Sequence, residues 1–135
     1  MKKLLIGLST IFVLLLSGCG TPEIADKRYV GDGESLRELK KSCHLDNGFV
    51  CSRLGVLYMN GEGVKRNYSK AKKYYSKACD LNEKTGCYML GYLNEYGSGG
   101  LEQNYSKAKI YYTKACELNV TKGCVSYKKL KEKGY

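Results

Sequence analysis

Cysteine is the residue type in this chain with the clearest chemical pattern. Of the seven cysteines, six form three pairs whose members lie eight positions apart, and these pairs are Cys43 with Cys51, Cys79 with Cys87, and Cys116 with Cys124. Cysteines that hold zinc usually lie about two to four residues apart, and the chain has a single histidine, His44. The spacing therefore favours structural disulfides, and we predict neither a metal site nor a bound cofactor.

A second group of patterns resembles the motifs of serine β-lactamases. Ser-x-x-Lys begins at Ser69, Ser106 and Ser126, and Lys-Thr-Gly begins at Lys84. That chemistry needs a buried nucleophile, a lysine that takes its proton and an oxyanion hole. We expect the three serines on solvent-facing first turns of helices, and Lys-Thr-Gly in a disulfide loop. We therefore interpret the strings as chance matches in a chain rich in lysine and serine.

An internal repeat determines which elements position these residues. Residues 67–82 align with residues 104–119, with identity at thirteen of sixteen positions and a period of 36 to 37 residues. A glycine-rich loop that begins at Gly61 recurs at Gly97 with one inserted glycine. A fixed period of this length is typical of arrays in which one supersecondary unit is stacked on the next.

Each unit contains two helical segments separated by the glycine loop. In the second segment of the first full unit, apolar residues recur at helical spacing at Tyr68, Ala71, Tyr75, Ala78 and Leu81. Asn67 and Asn104 precede these segments and are predicted N-caps. The first segments carry a Leu-Gly pair, at Gly55 and Gly91, whose glycine we expect to allow close approach of a neighbouring helix.

These elements predict an all-α fold, a short α-solenoid of helical hairpins with disulfides at the corners. Neither helix of a unit can bury its apolar stripe alone, so the units must stack. We predict a partial opening repeat over residues 34–50, full repeats over 51–86 and 87–123, and a polar capping helix over 124–135. Each cysteine pair then joins one unit's second helix to the next unit's first helix, which predicts the bridges Cys43–Cys51, Cys79–Cys87 and Cys116–Cys124.

The N-terminus has the pattern of an export signal. Lys2 and Lys3 precede an apolar run, and the run ends in Leu-Ser-Gly-Cys, which resembles the lipobox of bacterial lipoproteins. We predict a signal peptide over residues 1–18, acylation of Cys19, and a tether over residues 19–33. The expected location is the bacterial cell envelope, with the chain held on a membrane by its lipid. Gly20 is not the aspartate of inner-membrane retention signals, which favours the outer membrane.

The charge of the chain is strongly positive. The net charge is +10 for the whole chain and +8 once Lys2 and Lys3 are removed with the signal. A basic surface attracts anionic partners. In an exported protein, these are expected to be lipid phosphates, cell-wall acids or an acidic protein, and not nucleic acid.

The repeat, with its Leu-Gly pair, Gly-x-Gly loop, Lys-Ala-Cys ending and cysteines eight apart, resembles the Sel1-like subfamily of tetratricopeptide-type repeats. More narrowly, it resembles the Helicobacter cysteine-rich proteins. The resemblance covers about residues 34–135. It implies stacked helical hairpins, and it also carries a family label of β-lactamase, with β-lactam binding or weak hydrolysis as the corresponding activity.

The resemblance implies a binding groove on the inner face of the first helices. The residues expected there are Ser52, Val56, Met59, Asn60, Tyr88, Tyr92, Glu95 and Tyr96. We predict an interaction module that binds an envelope protein, a peptide or a peptidoglycan or other glycan fragment. Three alternatives stay open: a β-lactam-binding protein or weak β-lactamase, a structural envelope adaptor, and a groove whose residues partly pack between repeats.

Overall fold

The computed structural model describes residues 34–135. The predicted signal peptide (1–18), the acylation site Cys19 and the tether (19–33) lie outside the described residues. None of the helices over residues 34–135 combines the length and the apolar character that crossing a bilayer requires.

The described residues form six α-helices and one short 3-10 turn, which confirms the all-α solenoid. Each helix packs mainly on its neighbours in the chain, and α2 also contacts α4, as α4 contacts α6. The odd-numbered helices thus follow one side of the array and the even-numbered helices the other. The helices are α1 Leu36–His44, α2 Gly48–Asn60, α3 Tyr68–Asp80, α4 Lys84–Tyr96, α5 Tyr105–Glu117 and α6 Thr121–Glu132, with the 3-10 turn at Ser98–Gly100.

Side-chain caps determine where most of the helices begin. The predicted caps are confirmed, because the side chains of Asn67 and Asn104 accept hydrogen bonds from backbone N–H groups of α3 and α5. Ser35 and Glu38 form a reciprocal capping box on α1. Asn47 and Glu83 cap α2 and α4. A cap of this kind contributes about 1 kcal/mol.

The first helix of each unit begins before the position that the cysteine pattern indicated. We placed the unit boundaries at Cys51 and Cys87, whereas α2 begins at Gly48 and α4 at Lys84. The reason is that the caps Asn47 and Glu83 start each helix inside the disulfide loop. Lys84-Thr85-Gly86 lies inside the disulfide loop, as expected, and forms the first turn of α4.

The Leu-Gly glycines allow the close helix contact that the repeat predicted. A Cβ on Gly55 would lie 2.5 Å from the ring of Tyr75, and a Cβ on Gly91 would lie 2.5 Å from the ring of Tyr112. Both rings are fully buried. In each unit, therefore, the tyrosine of the second helix packs directly on the backbone of the first helix.

Three disulfides close the corners between units. The bridges are Cys43–Cys51, Cys79–Cys87 and Cys116–Cys124, with Cα–Cα distances of 4.8, 4.6 and 4.6 Å. Each bridge closes a short loop, and such a crosslink stabilises the folded chain by roughly 2 to 3 kcal/mol. In the closing helix α6, Gly123 and Leu130 are buried, and Leu130 packs against α5.

Candidate binding groove

A groove of about 390 Å³ lies between the C-terminal halves of α2 and α4. Residues of both helices and of both glycine loops line it. We call it the α2–α4 groove, and its lining residues are Met59, Asn60, Arg66, Tyr68, Met89, Tyr92 and Ser98. Three of these residues, Met59, Asn60 and Tyr92, belong to the face that we predicted.

Four of the seven lining residues of the α2–α4 groove are methionine or tyrosine, and the other three are polar. Met59 is half-buried, and its sulfur lies 4.0 Å from the hydroxyl of the buried Tyr75. Tyr92 is 38% exposed, and its ring centroid lies 4.7 Å from that of Tyr96, which is 51% exposed. Methionine adapts its shape to a bound group, and tyrosine offers a large contact area at a small entropic cost.

The polar groups of the α2–α4 groove lie at its loop end. The guanidinium of Arg66 lies 5.7 Å from the centroid of the Tyr68 ring and carries the positive charge of this end. The side-chain amide of Asn60 donates a hydrogen bond of 2.6 Å to Glu62. The groove thus combines methionine and tyrosine side chains with polar groups and the cation of Arg66. This combination fits a ligand that has an apolar side chain next to a carboxylate.

Two of the predicted face residues are buried and hold the helices together. Ser52 is 4% exposed, and its hydroxyl donates a hydrogen bond to the carboxylate of Glu83. The same carboxylate accepts a hydrogen bond of 3.0 Å from the backbone N–H of Gly86, so Ser52 links α2 to the cap of α4. Ser52 is therefore a structural residue and is not available to a ligand.

Glu95 is the second buried residue of the predicted face, with 5% exposure. Its carboxylate accepts a hydrogen bond of 2.7 Å from the hydroxyl of Tyr112 and lies 4.0 Å from the ammonium of Lys129. Burial and this hydrogen bond raise the pKa of Tyr112. Partial burial and the nearby Glu95 carboxylate also raise the pKa of Tyr96. Glu95 is thus the centre of a polar network that joins α4, α5 and α6.

Val56 and Tyr88, two further residues of the predicted face, are half-buried. Val56 and Tyr88 pack against the core that α2 to α5 share, and the Tyr88 ring lies 5.6 Å from the ring of Tyr112. The expectation that some face residues pack between repeats therefore describes Ser52, Val56, Tyr88 and Glu95. The accessible part of the face is the stripe of Asn60, Tyr92 and Tyr96 with the edge of Met59.

Sequence reasoning missed four residues of the α2–α4 groove, namely Arg66, Tyr68, Met89 and Ser98. It did not include Met89 of α4 in the predicted face. It also did not consider the glycine loops and the start of α3, which lie beside the first helices. The signal available was the second glycine of each loop. A Cβ on Gly99 would lie 2.0 Å from the ring of Tyr68, so this loop must pack directly on the start of α3.

The strings that match β-lactamase motifs lie mostly at the surface. Ser69 and Ser106 are exposed in the first turns of α3 and α5, as we expected. Ser126 differs, because it lies in the second turn of α6, is half-buried, and interacts with the hydroxyl of Tyr112. Lys84 is exposed in the first turn of α4. Within residues 34–135, no group of three His, Cys, Asp or Glu side chains could hold a metal ion.

A family model described as the Sel1 repeat matches residues 49–83 and 85–120, which together make up more than half of the chain. Among solved structures, the Helicobacter pylori cysteine rich protein B is similar with a TM-score of 0.61 and 42% identity, over 65% of each chain. A Sel1 repeat protein from Oxalobacter formigenes is similar with a TM-score of 0.68 and 28% identity, over 73% of this chain and 40% of that one.

Curated relatives match over shorter stretches. The cytochrome c oxidase assembly factor 7 homolog of Drosophila melanogaster is 36% identical over 72 residues, which are 48% of this chain and 26% of the relative. The Helicobacter pylori protein named "Putative beta-lactamase HcpC" is 49% identical over 35 residues, which are 26% of this chain and 12% of the relative. The chain thus matches about a quarter or less of the length of these relatives.

Proposed function

This chain belongs to the Sel1 repeat family, and from that premise we propose that it is a protein-interaction module whose α2–α4 groove binds a peptide segment of a partner protein. The observation that carries the proposal is the groove itself, because it joins exposed Tyr92 to Met59, Met89 and Arg66 in a single concavity. Concave sites that combine apolar or aromatic side chains with polar groups are typical of ligand-binding sites.

The lining of the groove indicates the chemistry of the segment. An aromatic or aliphatic side chain would lie on Met59, Met89 and Tyr92, where its burial displaces water from apolar surface. An acidic side chain one or two positions away would pair with the guanidinium of Arg66, which recognises carboxylates well. The proposed ligand is therefore a short peptide that contains an apolar residue next to Asp or Glu.

A peptide display selection on the full, oxidised chain tests the proposal. Selected peptides should share an apolar residue next to an acidic one, and Tyr92→Ala should weaken their binding at least about tenfold. Ile110→Ala is the matched control, because Ile110 is a large apolar residue, 65% exposed, on the other side of the array. Peptides without a shared motif, or equal losses in both variants, would show that the groove is not the binding site.

For the first part of the chain we propose lipid anchoring in the bacterial cell envelope, with Cys19 as the acylated residue and the outer membrane as the membrane. The lipobox pattern before Cys19 supports this proposal. Two or three acyl chains hold a protein on a membrane without a spanning helix. The intact mass of the mature protein tests it: cleavage before Cys19 and the added mass of acyl groups are expected, and Cys19→Ser should abolish both.

The Helicobacter pylori relative is named as a putative β-lactamase, which suggests β-lactam hydrolysis as a second candidate activity. Of the serines in Ser-x-x-Lys strings, two are exposed and the third, Ser126, is half-buried. The geometry therefore favours the interaction module. A nitrocefin turnover assay separates the two: turnover that a single Ser126→Ala change abolishes would assign an enzyme.

A further inference from the structure

A second cavity, of about 450 Å³, lies on the opposite side of the array between α1 and α3. We call it the α1–α3 cleft. The residues that line it are Lys40, Cys43, His44, Lys73, Tyr74 and Lys77. Three of the six are lysines and one is a histidine, and no acidic residue within the described range 34–135 lines the cleft. We propose that the α1–α3 cleft binds a phosphate monoester.

One of the three lysines has a structural role. The ammonium of Lys77 forms an ion pair of 2.9 Å with Asp46 and lies 3.4 Å from the backbone carbonyl of His44, so it holds the end of α1 against α3. Lys40 and Lys73 are exposed, and neither forms an ion pair with another residue of the described range. The cleft therefore holds two positive charges that form no ion pair with a carboxylate of residues 34–135.

The wall between these charges is aromatic and fixed in position. Tyr74 is half-buried, and its ring stacks on that of Tyr58 at 5.5 Å with an interplanar angle of 11°. Burial and Tyr58 raise the pKa of Tyr74, while the ammonium of Lys40 acts in the opposite direction, so Lys40 lies near the phenol. The hydroxyl thus remains protonated at neutral pH and can donate a hydrogen bond beside Lys40.

The repeat provides an internal comparison for this cleft. The positions one unit later are occupied by Ser76, Cys79, Asp80, Ile110, Tyr111 and Lys114. The structural residues are kept, since Lys114 donates a hydrogen bond of 2.8 Å to the carbonyl of Cys79, as Lys77 does to that of His44. The other basic residues, Lys40, His44 and Lys73, are not kept. Contact between α3 and α5 does not depend on lysines at the positions equivalent to Lys40 and Lys73. These two lysines are therefore not required for contact between α1 and α3.

The charge and shape of the cleft match a phosphate monoester. Two lysine ammonium groups balance a dianion, and lysine binds phosphate as a point charge. The Tyr74 hydroxyl adds a neutral donor, and its ring offers an apolar surface to the organic group that carries the phosphate. The cavity volume exceeds that of a bare ion and leaves room for this group. The phosphate could belong to a soluble molecule or to a lipid headgroup.

Calorimetric titration of the full chain with phenyl phosphate, at low salt, tests the proposal. Phenol is the uncharged control probe. In the double variant Lys40→Gln/Lys73→Gln, binding should weaken at least about tenfold, because both charges that balance the dianion are removed. The double variant Lys84→Gln/Lys122→Gln has the same net charge and changes exposed lysines in the first turns of α4 and α6. It should change binding less than about twofold.

A variant designed to gain a second binding site provides a second test. The triple variant Ser76→Lys/Asp80→His/Ile110→Lys transfers the charged residues to the cleft one unit later, and it should bind a second equivalent of phenyl phosphate. Vesicles with and without phosphatidic acid distinguish the sources, since vesicle binding that depends on Lys40 and Lys73 would assign a lipid headgroup. Equal weakening in both double variants, or binding of neither probe, would overturn the proposal.

Discussion

The α2–α4 groove and its equivalent one unit later share a backbone but differ in what their side chains do. The second region, which we call the α4–α6 region, has polar residues at the positions where the first has Met59, Met89 and Tyr92. In the repeat alignment, Met59, Arg66, Met89, Tyr92 and Ser98 correspond to Glu95, Gln103, Ser126, Lys129 and Tyr135.

The side chains of the α4–α6 region bind one another. Gln103 donates hydrogen bonds of 2.7 Å to the carbonyl of Glu95 and of 2.8 Å to the hydroxyl of Tyr105. The ring of Tyr135 stacks on that of Tyr105 at 4.0 Å, and Lys109 donates to the Tyr135 carbonyl. Together with the contacts of Glu95 to Tyr112 and Lys129, these bonds satisfy the polar groups internally.

The comparison indicates that the two units share the residues that pack and crosslink their helices and differ in the residues that line the groove. The glycine-on-tyrosine contact, the disulfide corner and the asparagine cap occur in both units. The lining residues instead determine whether a unit presents an open groove or a set of side chains that bind one another. We therefore expect the first unit to bind a partner and the second unit to stabilise the end of the array.

The largest loss of stability is expected from changes to the glycine-on-tyrosine contact that both units share. Gly55→Ala and Gly91→Ala each force a methyl group to within 2.5 Å of a buried tyrosine ring. Each should lower the free energy of unfolding by at least about 2 kcal/mol, despite the better helix propensity of alanine. Chemical denaturation of the two variants should give similar losses. A large loss in one variant and none in the other would show that the two units are not built alike.

A smaller effect should separate the two units. Tyr112→Phe removes the hydroxyl that donates to buried Glu95, so it should cost about 1.5 kcal/mol. Tyr75→Phe is its matched control in the first unit, where the hydroxyl has only a 4.0 Å contact with the Met59 sulfur. This change should cost less than about 0.5 kcal/mol, since no strong hydrogen bond is lost. Equal losses by urea denaturation would contradict the contrast.

The shared scaffold could be predicted from the sequence, and most of the difference between the units could not. Helix periodicity, asparagine caps and cysteine spacing are local signals, so they predicted the helices and the corners. The burial of Ser52 and Glu95 depends on hydrogen-bond partners far along the chain, namely Glu83 and Tyr112. Burial of a polar residue by such a partner leaves no periodic mark in a single sequence.

Only part of the α2–α4 groove could be predicted, because local sequence signals place the residues of its helices but not those of its loops. Met59, Asn60 and Tyr92 follow from helix geometry, because they lie at repeat positions on the first helices. Arg66 and Ser98 lie in glycine loops, whose path depends on left-handed residues such as Gly61 and Gly97 and on the packing of Gly99 against Tyr68. That path is a tertiary property.

Alkaline pH should weaken both units through their buried tyrosines. Burial raises the pKa of Tyr75 and Tyr112 above the ordinary value of about 10. Their contribution to stability is therefore complete below about pH 10 and is lost as the pH rises above it, because only the unfolded chain releases these protons. Each tyrosine should add about 1.4 kcal/mol of loss per pH unit.

Urea denaturation between neutral pH and pH 11 measures this dependence. The double variant Tyr75→Phe/Tyr112→Phe should show a clearly flatter decline above pH 10 than the parent chain. Tyr92→Phe serves as the control and should leave the slope in place, since this ring is 38% exposed. An unchanged slope in the double variant would mean that other groups cause the alkaline loss.

The smallest expected effect concerns the charge of the α2–α4 groove. Arg66→Gln places in the first unit the residue type that the second unit has at Gln103, and it removes the cation that the proposed acidic side chain would pair with. Affinity for selected peptides should fall about fivefold, or about 1 kcal/mol, and depend less on salt. Gln103→Ala should leave peptide affinity unchanged, although it removes hydrogen bonds within the α4–α6 region. Calorimetry at two salt concentrations measures both, and a salt-independent loss for Arg66→Gln would indicate that Arg66 acts through its packing on Tyr68 and not through its charge.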